Sequence, residues 1–130
     1  MMSQITYFAT EGKANTETTL KIARERALEL GISQVVLASS HGYTAKEAVR
    51  LFAGMGIEII AVTISEGFKD LGWSMKPDER AELEQAGVRV LTSQLSLGGG
   101  VEEAFDGGNS PQSIIANTLY CFSQGMKVAV

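Results

Sequence analysis

The chain has 130 residues, 45% hydrophobic and 20% charged, which suits one soluble globular domain with a single sizeable core rather than a disordered segment. A net charge of −4 argues against a nucleic-acid backbone binder, which needs clustered Lys and Arg. One cysteine and one histidine leave no internal disulfide and no Cys- or His-rich metal centre. No apolar run reaches membrane-spanning length, and Met1–Gln4 lacks the features of a signal peptide, so a cytoplasmic protein with no membrane partner is expected.

In chain order, Ile5–Ala9 is rich in β-formers and is the first strand candidate. After the loop Thr10–Ala14, Asn15 is placed to cap a helix running to about Leu30, with Gly31 as its stop. Leu20, Ala23, Ala27 and Leu30 form its core-facing stripe. Gln34–Ala38 is the second strand. In the next helix Thr44-Ala45-Lys46-Glu47 has capping-box spacing, and Ala45, Ala48, Val49 and Phe52 recur at helical period before Gly54 and Gly56 end it.

Ile57–Thr63 is almost wholly apolar, as in a parallel strand covered on both faces. Ile64–Lys76 is a long loop containing Gly67, Phe68, Gly72 and Trp73. Pro77 fits the first position of a short helix with Asp78 and Glu79 in its first turn and Gly87 beyond its end. Val88–Thr92 is the fourth strand candidate. Ser93–Gly100 is a second long loop, Val101–Phe105 a helical turn, and Asp106–Asn109 a break. Ser110-Pro111 opens a last helix whose buried side is expected to carry Ile114, Ile115, Leu119, Phe122 and Cys121. The apolar end, Met126–Val130, suggests a final short strand or further sequence beyond it.

Strand and helix candidates in alternation imply an α/β domain: a three-layer α/β/α arrangement around an open, mostly parallel sheet of four to five strands. Ligands of such sheets bind beyond the carboxyl ends of the strands, where the loops 10–15, 39–44, 64–76 and 93–100 converge. Ser39-Ser40-His41-Gly42-Tyr43-Thr44 stands between a strand end and a helix start, where first-turn N–H groups lack partners and the helix dipole favours an anion. A phosphate cradle from Ser39, Ser40, Gly42 and Thr44 and a plain, well-capped βα turn are both compatible with these residues. The loop is neither the dinucleotide GxGxxG nor the GxxxxGK[ST] P-loop. Lys13 could add positive charge at this edge or be an ordinary surface lysine. His41 could touch an anion or transfer protons, but no partner carboxylate or serine can be placed beside it from sequence. Phe8, Tyr43, Phe68 and Trp73 could wall a pocket for a planar ring or simply pack the loops.

The segment VVLASSHGYTAKEAVRLFAGMGIEIIAVT resembles the βαβ unit of the pyruvate kinase C-terminal domain. Nearly the whole chain is similar to the stand-alone pyruvate kinase C-terminal-domain-like (alpha/beta domain) proteins. The similarity runs through ITYF…GKANTETTLKIARERALELGI, the S-x-G-x-T-A loop at Ser40–Ala45, the AVT…GF stretch carrying Thr63, Gly67 and Phe68, and SIIANTL..FSQGMKV. The resemblance implies a phosphate at the positions Ser39, Ser40, Gly42 and Thr44, and it points to flavin mononucleotide (FMN) as ligand. Lys13, His41, Tyr43, Thr63, Gly67 and Phe68 complete the expected cofactor-binding set, with no catalytic residue and no metal ligand. The catalytic barrel of pyruvate kinase has no counterpart here, so kinase activity is not implied. Tyr43 stands where pyruvate kinases often have a basic or small residue, which argues against sugar bisphosphates. Members of the family continue past the GMKV segment through a helix, a Gly-rich loop and an antiparallel strand, so this chain is expected to lack that extension, and a homo-oligomeric partner could cover the edge. A flavin-dependent enzyme of unknown substrate and an oligomerisation or regulatory module remain the alternatives to a binding domain.

Overall fold

The computed structural model describes residues 4–97 and 110–130. The expected turn at Val101–Phe105, the glycines Gly98–Gly100 and the break at Asp106–Asn109 lie outside those residues. The described elements are α1 (Thr16–Leu30), β1 (Gln34–Ala38), α2 (Tyr43–Phe52), β2 (Glu58–Thr63), α3 (Pro77–Gln85), β3 (Arg89–Thr92), α4 (Pro111–Tyr120) and α5 (Gln124–Ala129), with short 3-10 turns at Lys13–Asn15 and Glu66–Leu71. Among the described residues no helix is long and apolar enough to cross a membrane.

The sheet is open and parallel, in the order β1-β2-β3, with Val36 opposite Ile60 and Ala61 opposite Val90. Parallel neighbours need crossover connections, and right-handed crossovers that step in one direction put their helices on one face. That is where α2 and α3 lie: Ala45, Ala48, Leu51 and Phe52 of α2 and Leu83 of α3 share a core with Leu20 of α1 and with Ile59, Ala61 and Val90 of the strands. Alanines at the contact let α2 approach the sheet closely, and Leu83, wholly buried, fills the space between α3 and the strands. Burial of a leucine of this kind contributes about 1.5–3 kcal/mol. α1 packs on α2 through the same core.

Strand side chains alternate. Val35 and Leu37 pack against this core, so Val36 and Ala38 of β1 project from the opposite face with Ile60 and Val62 of β2 and Leu91 of β3. That second face is thinly covered: α5 touches β1, while Val36 remains 65% exposed. β2 is accordingly buried at every second residue instead of continuously.

Several expectations need correction. Among the described residues the sheet has three strands, because Ile5–Ala9 forms no ladder and Ile5 and Tyr7 are exposed; β-propensity gains little without a neighbouring strand to pack on. Met126–Val130 is not a strand: Ser123 caps α5 there, its Oγ accepting from Met126 N at 3.0 Å. On α1 only Leu20 and Ala27 are buried, leaving Ala23 and Leu30 in solvent. Asn15 stands at the N-cap position, but its amide donates to the Thr10 carbonyl and does not cap. α4 begins as the Ser110-Pro111 pair predicts, with Ser110 Oγ accepting from Ser113 N at 3.1 Å. Its buried residues, however, are Ser113 and Ala116, while Ile114, Ile115 and Phe122 are exposed and Leu119 is half-buried. Cys121 is likewise exposed, its thiol donating to the Asn117 carbonyl at 3.4 Å. Periodicity gives the spacing of an apolar face, not the surface that it meets.

Candidate functional site

The β1–α2 loop is anchored by Ser39. Its N–H donates to Val62 O at 3.0 Å, prolonging the β1–β2 ladder, and its Oγ accepts from Ala45 N at 3.3 Å. The expected capping box is therefore absent: Thr44 lies inside the helix, Gly42 occupies the N-cap position, and the Glu47 carboxylate accepts from Arg50 instead. The buried serine caps α2 from the preceding strand because Gly42, at φ +84°, turns the chain back over Leu83. A Cβ at Gly42 would meet Leu83 Cδ1 at 3.3 Å, so the turn needs both the left-handed backbone and the missing side chain.

This arrangement leaves donors unused. The Ala45 and Lys46 N–H groups are bonded to Ser39 Oγ and to Gly42 O, whereas those of Tyr43 and Thr44 meet no acceptor among the described residues. The hydroxyls of Ser40 and Thr44 are also without a partner there, and both residues line a cleft of about 1190 Å³ at the carboxyl edge of the sheet. Its floor is the second sheet face, with Val36, Ala38 and Val62. Phe68 and Trp73 form one wall, stacked with centroids 5.6 Å apart and planes at 17°. Thr63, 2% exposed, also reaches the cleft; its hydroxyl pairs with that of Thr92 at 2.9 Å, and Arg80 donates to the Thr92 hydroxyl and to Val90 O. The strand ends are thus tied to the first turn of α3.

Of the residues singled out in the sequence, Ser40, Thr44, Thr63, Phe68 and Trp73 come together in this cleft. Ser39 and Gly42 are buried beneath the loop and shape it. Gly67 lines a smaller adjoining hollow of about 520 Å³. Lys13 and Tyr43 lie outside the cleft, the Lys13 ammonium 4.9 Å from the centre of the Tyr43 ring, and Phe8 is outside it too.

His41 also stands apart from the cleft, and here the sequence-based expectation fails. A carboxylate does lie beside it: His41 Nδ1 is 3.0 Å from Glu79 Oε2. The same carboxylate accepts from Lys76 N at 2.9 Å, closing the first turn of α3. The Lys76 N–H and, after it, the His41 ring hold the Glu79 carboxyl below the usual carboxylate range. The pair links the β1–α2 loop to α3 at the surface.

Sequence reading missed Tyr120 of α4 and Lys127 of α5, which also line the cleft, whereas Ser93–Leu97, which line it too, belong to the 93–100 loop expected there. The one signal for Lys127 was a single charge inside the apolar run Met126–Val130. Among the described residues no cluster of three or more His, Cys, Asp or Glu could hold a metal ion. No protein-family model matches the chain.

Proposed function

We propose that this protein is a small-molecule binding domain of the pyruvate kinase C-terminal type, holding a phosphorylated ligand at the carboxyl edge of its sheet, with FMN as the specific ligand. The observation that carries the reading is the set of free donors at the start of α2. The Ser40 and Thr44 hydroxyls and the Tyr43 and Thr44 N–H groups have no partner among the described residues, while Ser39 caps the Ala45 N–H. Such donors at a helix N-terminus suit a phosphate dianion. The stacked Phe68–Trp73 pair borders the same cleft and offers a flat apolar wall to an isoalloxazine ring. The cleft is large enough for a mononucleotide. In this reading no residue of the cleft is assigned a proton-transfer role, since the His41–Glu79 pair lies outside it, and the domain has no kinase activity.

The test is direct. Purified protein is expected to be yellow, or to quench FMN fluorescence on mixing. Ser40→Glu and Thr44→Glu place negative charge against the phosphate and are expected to abolish binding. Unchanged FMN affinity in both variants would sink the site assignment.

A further inference from the structure

The cleft is lined by a largely buried lysine that has no counter-charge among the described residues. Lys127 is only 4% exposed, and among the described residues its side chain makes no hydrogen bond or ion pair; its contact of an electrostatic kind there is with Tyr120, whose ring centre lies 5.7 Å from Nζ. The ion pairs among the described residues lie on exposed or half-exposed side chains, and none of the acids described there is set against Lys127. Removing an ammonium from water is costly unless an anion accompanies it, and a cation–π contact compensates only in part. Lys127 lines the cleft, and with the residue otherwise covered, the cleft is where an anion would reach its ammonium.

From this we infer that Lys127 is a binding residue that recognises an anionic ligand, with a phosphate monoester as the chemical class, and that Tyr120 holds the ammonium ready while the cleft is empty. The inference rests on the proposed function for the location of the ligand only. It adds a determinant that the β1–α2 loop cannot supply: hydroxyl and N–H donors of that loop carry no net charge, whereas Lys127 does, so selection between a phosphorylated molecule and its neutral parent falls to α5. Charge-assisted contacts are the stronger ones, and losing one in a sheltered site lowers affinity by about tenfold or more.

The experiment uses the full chain, with Lys127→Met and Lys127→Arg as variants. Inorganic phosphate is titrated at constant ionic strength while the 13Cε resonance of Lys127 is followed in the wild type. FMN and riboflavin, which differ only by the phosphate, are then titrated against all three proteins by the fluorescence of Trp73, the single tryptophan. Phosphate is expected to shift the Lys127 resonance. The wild type and Lys127→Arg are expected to prefer FMN over riboflavin by about tenfold or more, and Lys127→Met to bind the two alike. A Lys127 resonance indifferent to phosphate, or a Lys127→Met protein that keeps the preference, overturns the inference. If phosphate moves the resonance and neither flavin binds, the flavin reading falls and the anion site stands. If both flavins bind the wild type equally, a site for the flavin ring stands, while the phosphate site and the role of Lys127 both fall. Should Lys127→Met fail to fold, the wild-type resonance decides the matter by itself.

Discussion

The two faces of the sheet are built differently. On one, α1, α2 and α3 close over Ile59, Ala61 and Val90 with alanines and leucines at the contacts, and the cluster is continuous. On the other, α4 and α5 stand over Val36, Ala38 and Val62 with a cleft between, and several of their own apolar side chains face solvent. The first face stabilises the fold, and the second leaves room for a ligand. The same strands serve both because successive side chains point in opposite directions. A parallel sheet covered equally well on both sides would have no such space.

The largest effect expected from this contrast is at Leu83. Leu83→Ala empties a fully buried site on the packed face and is expected to lower unfolding free energy by about 2–5 kcal/mol. Phe122→Ala, on the open side and 74% exposed, is expected to change it by less than about 0.5 kcal/mol despite removing a larger side chain. Urea denaturation of both variants would break the comparison if the two losses were similar.

A smaller effect is expected where the packed face shapes the candidate site. Gly42→Ala puts a Cβ against Leu83 and forces a non-glycine residue to φ +84°, for a loss of about 1–2 kcal/mol. Because Gly42 sets the β1–α2 turn, ligand affinity should fall along with the melting temperature. A variant that loses stability but retains full affinity would show that the loop geometry does not matter to the site.

The mildest effect concerns pH. The Glu79 carboxyl titrates below its ordinary value of 4.5 in the folded state, mainly through the Lys76 N–H and then through His41. A depressed carboxyl pKa adds stability that is present above that ordinary value and is lost as pH falls through the folded one. Glu79→Gln is therefore expected to be slightly less stable than wild type at neutral pH, by about 1 kcal/mol, with the gap narrowing below pH 4.5. Thermal melts from pH 7 down to pH 3 would check the sign; a gap that widens in acid contradicts it. Since Glu79 lies outside the cleft, ligand affinity at pH 7 should not change.

How much of this was readable in advance varies by element. β1, β2 and β3, the Pro77 start of α3 and the Ser110-Pro111 start of α4 are written in local patterns, and the structure places them within a residue or so of the expected bounds. That the β1–α2 loop reaches a cleft at the carboxyl edge of the sheet was legible, as were Ser40, Thr44, Thr63 and Phe68 among the residues that line it. The cap was misread: Thr44 and Glu47 have the right spacing, but Ser39, buried against β2, reaches the helix first. The partner of His41 was invisible, because Glu79 lies 38 positions away and only the β2–α3 crossover brings it near.

What the sequence determined by itself, then, was local: strand and helix periods, glycine turns, proline starts, and an α/β alternation that commits the chain to a parallel sheet. These follow from backbone sterics and from hydrophobic spacing, both of which act over a few residues. Tertiary structure decided which apolar faces are covered. Ile114 and Ile115 satisfy the helical period yet remain exposed, whereas Lys127 breaks an apolar run yet is buried. Burial depends on what the rest of the chain places opposite a residue, and no window of local sequence contains that information. The cleft and the burial of Lys127 beside it belong to that second kind of fact.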